Sequence, residues 1–431
     1  MKFSFITLGC KVNQYESQAM AELLQKSGFF PANHEEKADI VVLNSCTVTA
    51  TSDQKVRQLL RRARRNNPDA ILILTGCMPQ AFPDIASRFE EADIVLGNSH
   101  RSSLIPALTS YLSHSQRIVD IRPYAPKDKF EALSVHEFHE RTRAFVKIED
   151  GCNRFCSYCI IPYARGRVRS KPLEELRQEL TQLAQSGYQE VVLVGINLSA
   201  YGQDLGLHLC DAVECACDIE GIQRIRLGSL EPEQMDAPVV ERLSKQKKLC
   251  PQFHLSLQSG CDETLRRMNR HYQTVQYEEI VKNLRRHFTN SAITTDIMVG
   301  FPGETEEEFE RSLAFAKQIG FAKAHIFCYS PRPGTKAAKD KNQITNAVKE
   351  QRSKKMSAVC QETRRQFLQE QIGKREQVLF ETTCHNGFYE GYTENYTPVR
   401  VSSPIPLCGK ILPVEMIQVE GEYCLGKLEN Q

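Results

Sequence analysis

Gly151-Cys152-Asn153-Arg154-Phe155-Cys156-Ser157-Tyr158-Cys159 follows directly on the strand-like run Ala144-Phe145-Val146-Lys147-Ile148. Its CxxxCxxC spacing lets one loop wrap a small inorganic cluster and present three thiolates from one side. Three thiolates on a four-iron cluster leave one iron open to an outside ligand. A zinc knuckle is the competing reading, but such sites close with a fourth Cys or His, and His254 and His271 are remote in sequence. Downstream, strand patterns at 190–194, 223–227, 253–257, 293–299 and 324–329 alternate with helical stretches such as 173–186 and 305–319. Together with 144–148 they predict an incomplete parallel (β/α)6 barrel, since a full eightfold barrel needs about 250 residues.

A second set of three cysteines lies upstream, scattered in sequence. Cys10, Cys46 and Cys77 each follow a short apolar run, in Leu8-Gly9-Cys10, Asn44-Ser45-Cys46 and Thr75-Gly76-Cys77. Strands at 3–8, 40–44, 71–75 and 93–97, with helices at 16–27 and 52–65 between them, predict a parallel sheet covered on both faces. Each cysteine then falls just past a strand's C-terminal end, the edge where open α/β sheets bind ligands. One such cysteine reads as a small buried hydrophobe; the repeated position reads as a second cluster site. Cys210, Val213 and Cys217 sit at helical spacing and read as core.

The chain has 431 residues, 16 cysteines and a net charge of +2, which predicts two or three domains and places any nucleic-acid contact on local patches. No apolar run is long enough for a membrane span and no secretory signal is visible, so a reducing, cytoplasmic setting with metal-bound and free thiols is expected. The predicted organisation is an N-terminal α/β domain over 1–112, a polar linker over 113–141 with Pro123 and Pro126, and the barrel domain over 142–370 with a charged helix at 345–370. A small β-barrel over 371–431 completes it.

This combination resembles the radical S-adenosylmethionine methylthiotransferase family, over essentially the whole chain. The matching segments include Thr7-Leu8-Gly9-Cys10-Lys11-Val12-Asn13-Gln14-Tyr15-Glu16-Ser17, Cys159-Ile160-Ile161-Pro162-Tyr163-Ala164-Arg165-Gly166 and His254-Leu255-Ser256-Leu257-Gln258-Ser259-Gly260. Asp296-Ile297-Met298-Val299-Gly300-Phe301-Pro302-Gly303-Glu304 and Tyr329-Ser330-Pro331-Arg332-Pro333-Gly334-Thr335 match as well. The resemblance implies two [4Fe-4S] clusters, one on Cys152, Cys156 and Cys159 that cleaves S-adenosyl-L-methionine to a deoxyadenosyl radical. The other, on Cys10, Cys46 and Cys77, presents sulfur, and a second S-adenosylmethionine gives the methyl group. It also implies a C-terminal TRAM barrel that binds tRNA and a reducing protein as electron donor, and it leaves the origin of the inserted sulfur open.

Family members act on a threonylcarbamoyl- or isopentenyl-bearing adenosine beside the tRNA anticodon, or on a ribosomal-protein aspartate. Gly9-Cys10-Lys11-Val12-Asn13-Gln14-Tyr15, Tyr163-Ala164-Arg165-Gly166-Arg167 and Gly391-Tyr392-Thr393-Glu394-Asn395-Tyr396 resemble the threonylcarbamoyladenosine subgroup most. Candidate cofactor contacts are Tyr158 in the cluster loop, Gly195 and Asn197 after one strand, Ser229 and Glu231 after another, and Gln258 and Asp296 in later ones. Glu231 is expected to accept ribose hydroxyls. For RNA, Arg61, Arg62, Arg64 and Arg65 form one basic run and Arg165, Arg167, Arg169 and Lys171 another; such runs are more often solvated surface than binding sites, but the second follows the cluster loop and has the charge that phosphate contacts need. The last 61 residues carry five Lys or Arg against eight Asp or Glu, so RNA contact there would fall to aromatics such as Phe388, Tyr389, Tyr392 and Tyr396, unless these are barrel core.

Overall fold

The computed structural model describes residues 1–33, 36–125, 128–135, 142–384 and 387–428. The N-terminal region is a six-stranded parallel sheet in the order Phe30–Pro31, Lys2–Thr7, Ile40–Ser45, Ile71–Gly76, Ile94–Leu96, Ile118–Asp120. The two central strands are buried along their full length, which is why both are nearly unbroken Val, Ile and Leu. Met20, Leu24, Leu104 and Leu108 pack with Ile40, Val42 and Ile73. Val56, Leu60 and Met78 pack with Leu43, Leu74 and Val95, so apolar side chains cover both faces.

Two boundaries differ from the sequence expectation. The first helix runs Lys11–Lys26, not from residue 16, because Cys10 serves as its N-cap without a side-chain capping bond and leaves no capping signature. Residues 113–141, expected as linker, contain the strand Ile118–Asp120, which pairs with Ile94–Leu96. Three residues are too few to show a period. Pro126 of that stretch lies outside the described residues.

The middle region is the expected partial barrel. Arg143–Lys147, Glu190–Val194 and Arg224–Leu227 form one parallel sheet, and Ser229–Leu230, Gln252–Leu255, Ala292–Val299 and Lys323–Cys328 form another. The strand path breaks at Gly228, where a Cβ would stand 3.3 Å from the Leu193 carbonyl oxygen. Among the described residues Lys323–Cys328 does not pair with Arg143–Lys147, so the barrel stays open on that side. The helix Asn346–Gln369 then leads to a closed five-stranded barrel, Arg375–Thr383, Phe388–Tyr392, Pro398–Ser402, Tyr423–Leu428 and Ile411–Glu420, around Val378, Phe380, Val399, Val414 and Cys424. Among the described residues no helix is long and apolar enough to cross a membrane.

Candidate functional site

The CxxxCxxC loop leaves the first barrel strand and is fastened at several points. Cys152 N–H donates to Gly166 O (3.0 Å), Cys159 N–H to Cys156 O (2.9 Å) and Ser157 N–H to Met268 O (2.9 Å). Around the sulfurs stand donors: Arg154 N–H (3.5 Å) and Asn197 Nδ2 (3.9 Å) on Cys152 Sγ, and Arg270 Nη1 (3.5 Å) on Cys156 Sγ. Burial pushes all three thiols up, Cys152 to about 12, and Cys156 adds a like-charge push on the other two. Three thiolates here therefore need a bound cationic centre.

A tetrahedral zinc would hold its thiolates about 3.8 Å apart. A closed zinc site also takes a fourth Cys or His, whereas the groups directed at these sulfurs are donors: Arg154 N–H, Asn197 and Arg270. A polynuclear cluster, which spreads its thiolates over separate irons, is the group this donor set fits. Asn197 Oδ1, Gln258 Oε1 and Glu149 Oε1 are buried without a hydrogen-bond partner among the described residues, and such atoms suit a polar ligand. Gly195 lies close against Glu149: a Cβ would meet its Oε2, the acceptor of Asn197 N–H, at 2.7 Å and would have to displace it.

The scattered triad assembles as the strand pattern requires. Thr7 pairs with Asn44, and Ser45 with Gly76, so the chain ends before Cys10, Cys46 and Cys77 emerge side by side. Gly9 has φ +111°, and a Cβ on it would lie 2.9 Å from Cys46 Cβ; Gly76 has φ +101°, and a Cβ would lie 2.5 Å from Ser45 O. Asn13 organises the edge: its Oδ1 accepts from Cys10 Sγ (3.6 Å), and its Nδ2 donates to Leu8 O (3.0 Å) and Ser45 O (2.9 Å). Burial raises the Cys46 thiol and takes Cys77 to about 12.

Between the two triads runs a buried polar seam that sequence reasoning missed. Arg165 Nη1 donates to Glu16 Oε1 (2.8 Å) and Asp150 Oδ1 (2.9 Å), and Nη2 to Glu16 Oε2 (3.0 Å) and Asn13 Oδ1 (2.9 Å). Glu16 also meets Arg101 (2.7 Å) and Lys147 (3.0 Å). Asn98 Nδ2 donates to Ala164 O (3.1 Å) and approaches Cys77 Sγ (3.8 Å). The basic run expected to meet phosphate is therefore mostly structural. Arg165, Arg169 and Lys171 are buried, with Asp150 and Glu179 among their partners, and of the four Arg167 alone is exposed. In the other run, Arg61, Arg62 and Arg65 are exposed while Arg64 pairs with Asp93 (2.6 Å).

Of the other expected contacts, Gly195, Ser229 and Asp296 line one cavity of about 430 Å³, together with Cys10. Asp296 is met by His254 Nε2 (3.3 Å). Burial would raise its carboxyl, but the hydrogen bond and charge of His254 outweigh that and hold it low. Tyr158 packs edge-on against Phe301, and Gln258 has φ +65°. Glu231 is held in place: Arg270 donates to both its oxygens (3.1 and 2.5 Å) while touching Cys156, and each oxygen keeps a further lone pair. Arg270 lies far along the chain and shows no signal in sequence. Tyr392 and Tyr396 stack at 4.5 Å against Arg143, and Tyr396 lines the cavity, so the C-terminal barrel presents these rings inward.

A partial parallel barrel with a three-cysteine loop after its first strand is the architecture of radical S-adenosylmethionine proteins. Residues 146–316 match the Radical SAM superfamily, and residues 2–97 match Uncharacterized protein family UPF0004. The chain is 36% identical to the threonylcarbamoyladenosine tRNA methylthiotransferase MtaB of Bacillus subtilis (98% of this chain, 95% of the relative). It is 38% identical to that of Aquifex aeolicus (93% and 100%). It is 34% identical to the tRNA-2-methylthio-N(6)-dimethylallyladenosine synthase of Pelotomaculum thermopropionicum (96% and 94%). The radical S-adenosylmethionine methyltransferase TsrM of Kitasatospora setae shares the fold, with a TM-score of 0.59 at 14% identity over 78% of this chain and 74% of that one. The chain belongs to the radical S-adenosylmethionine methylthiotransferase family, whose radical domain works with a [4Fe-4S] cluster and S-adenosylmethionine.

Proposed function

We propose that this chain methylthiolates C2 of N6-threonylcarbamoyladenosine beside the anticodon of tRNA, with Cys152, Cys156 and Cys159 holding one [4Fe-4S] cluster and Cys10, Cys46 and Cys77 a second. The observation that carries this is one cavity lined both by Cys10 of the N-terminal triad and by Gly195, Ser229 and Asp296 of the barrel, with the Arg165–Glu16 seam joining the two regions. The bound groups supply the radical chemistry that an unactivated aromatic C–H requires, and the sulfur. The protein's own part is placement. Asn197 and Arg270 direct donors at Cys152 and Cys156, Asn98 does the same for Cys77, and Asn13 accepts from the Cys10 thiol. The relatives at 36% and 38% identity named above support threonylcarbamoyladenosine over the dimethylallyl substrate of the relative at 34%.

A reducing cytoplasmic setting and a protein electron donor belong to the same reading, which the sixteen unpaired cysteines suit. Mass spectrometry of tRNA nucleosides from cells lacking the protein tests it. The 2-methylthio form of threonylcarbamoyladenosine should vanish and its precursor accumulate. Unchanged methylthio nucleosides would overturn the tRNA assignment.

A further inference from the structure

The cavity has a second feature besides Cys10 and the barrel residues that line it. Lys11 and Lys323 both line it, and among the described residues neither forms a hydrogen bond or close ion pair. Arg226 lines it too, anchored to Glu190 (2.6 Å). Glu190 is shared with Arg143 (3.6 Å) and Arg224 (3.5 Å), which also meet Glu381 (2.6 Å) and Glu394 (3.7 Å), so these carboxylates are engaged by the arginines. The carboxylate in the wall itself, Asp296, is already taken by His254. A recess of about 430 Å³ with two lysines that lack a close partner among the described residues accommodates a nucleobase with a small anionic substituent. An apolar substituent would leave the lysines without a partner once water was displaced.

We propose that Lys11 and Lys323 pair with the carboxylate at the end of the threonylcarbamoyl group, and that this pairing selects an acidic N6 substituent over an apolar one. The inference rests on the substrate reading above. Lys11 is next to Cys10, so the carboxylate end and the sulfur-bearing edge share a wall, while Lys323 enters from the open edge of the barrel.

The test uses the full, cluster-loaded chain and two anticodon stem-loop RNAs, one with N6-threonylcarbamoyladenosine and one with its threonine methyl ester. Fluorescence anisotropy gives the Kd of each. Esterification should weaken binding to the unmodified protein by about ten- to a hundredfold, as expected for a charge-assisted hydrogen bond. Lys11→Gln should bind acid and ester within about threefold of each other on the same reasoning, and Lys11→Arg should restore the preference. Lys323→Gln, far in sequence from any cysteine ligand, should narrow the gap as well and stands in if Lys11→Gln loads iron poorly. Equal binding of acid and ester by the unmodified protein overturns the pairing while leaving the substrate reading intact, as does an undiminished gap in both Gln variants. A raised KM for S-adenosylmethionine in Lys11→Gln with an unchanged gap would assign the lysine to the cofactor and overturn the pairing too. Failure to bind or modify either RNA defeats the substrate reading and the pairing with it.

Discussion

Replacing Glu16 with Gln removes one charge at the centre of the seam and nothing else of comparable size. Its two oxygens serve Arg101, Lys147 and Arg165 at 2.7 to 3.0 Å, and the group is fully buried. Taking one partner from a buried ion network costs about 3–5 kcal/mol. The carboxyl leads to the same size by another route. Burial pushes it up, yet the three cations hold it at about 2 against 4.5, a gap corresponding to about 3 kcal/mol. Glu16 stands on the helix Lys11–Lys26, whereas Lys147 and Arg165 belong to the barrel region, so the loss falls on the docking of one against the other. In cluster-free protein, amide exchange in that helix should speed up by about two to three and a half powers of ten. The acid response follows with a definite sign. Because the folded pKa is depressed, the contribution is complete above about pH 4.5 and is lost as pH falls toward 2. Glu16→Gln should lack that share of the drop in melting temperature between about pH 5 and about pH 3. Exchange altered by less than about tenfold, equivalent to about 1.4 kcal/mol, would refute the reasoning.

Three further outcomes are expected. Cys156→Ala should abolish 5′-deoxyadenosine formation, while Cys46→Ala should spare it and stop thiolation; loss in both, with the fold intact, would break the division of roles. Gly76→Ala places a Cβ 2.5 Å from Ser45 O at φ +101°, a strain of at least about 1–3 kcal/mol, which should lower iron bound at the N-terminal triad and leave that at the CxxxCxxC loop unchanged by elemental analysis. Arg270→Lys keeps the charge but cannot span Cys156 and both oxygens of Glu231; it should shift the electron paramagnetic resonance signal of the reduced first cluster, and an unaltered spectrum would show that the guanidinium does not govern it.

What the sequence disclosed here followed from local chemistry. Cys10, Cys46 and Cys77 were legible as a group because each sits past a run of Val, Ile and Leu, and a parallel sheet brings such ends together. The open barrel was legible from repetition of its units. What stayed hidden were pairings between distant side chains. Nothing near Arg165 in sequence announces Glu16, 149 residues away, so a buried structural run reads from sequence as solvated surface or a phosphate contact. The clasp of Glu231 by Arg270 is hidden for the same reason, since the two lie 39 residues apart. The strand Ile118–Asp120 is too short to carry a period and gains its place from its neighbour.

Arg226 donates to the carbonyl oxygens of Thr393 (2.7 Å) and Glu394 (2.6 Å), and Arg224 to that of Gln377 (2.7 Å). Two nearly inaccessible guanidinium groups of the central barrel thus borrow main-chain acceptors from the C-terminal one. The two are consequently not interchangeable cassettes. A truncation before residue 371 would strip acceptors from both arginines, and a graft from a relative would succeed only if its turn offered carbonyls in the same places. Modularity in this chain ends where its backbone begins to solvate another region's charges.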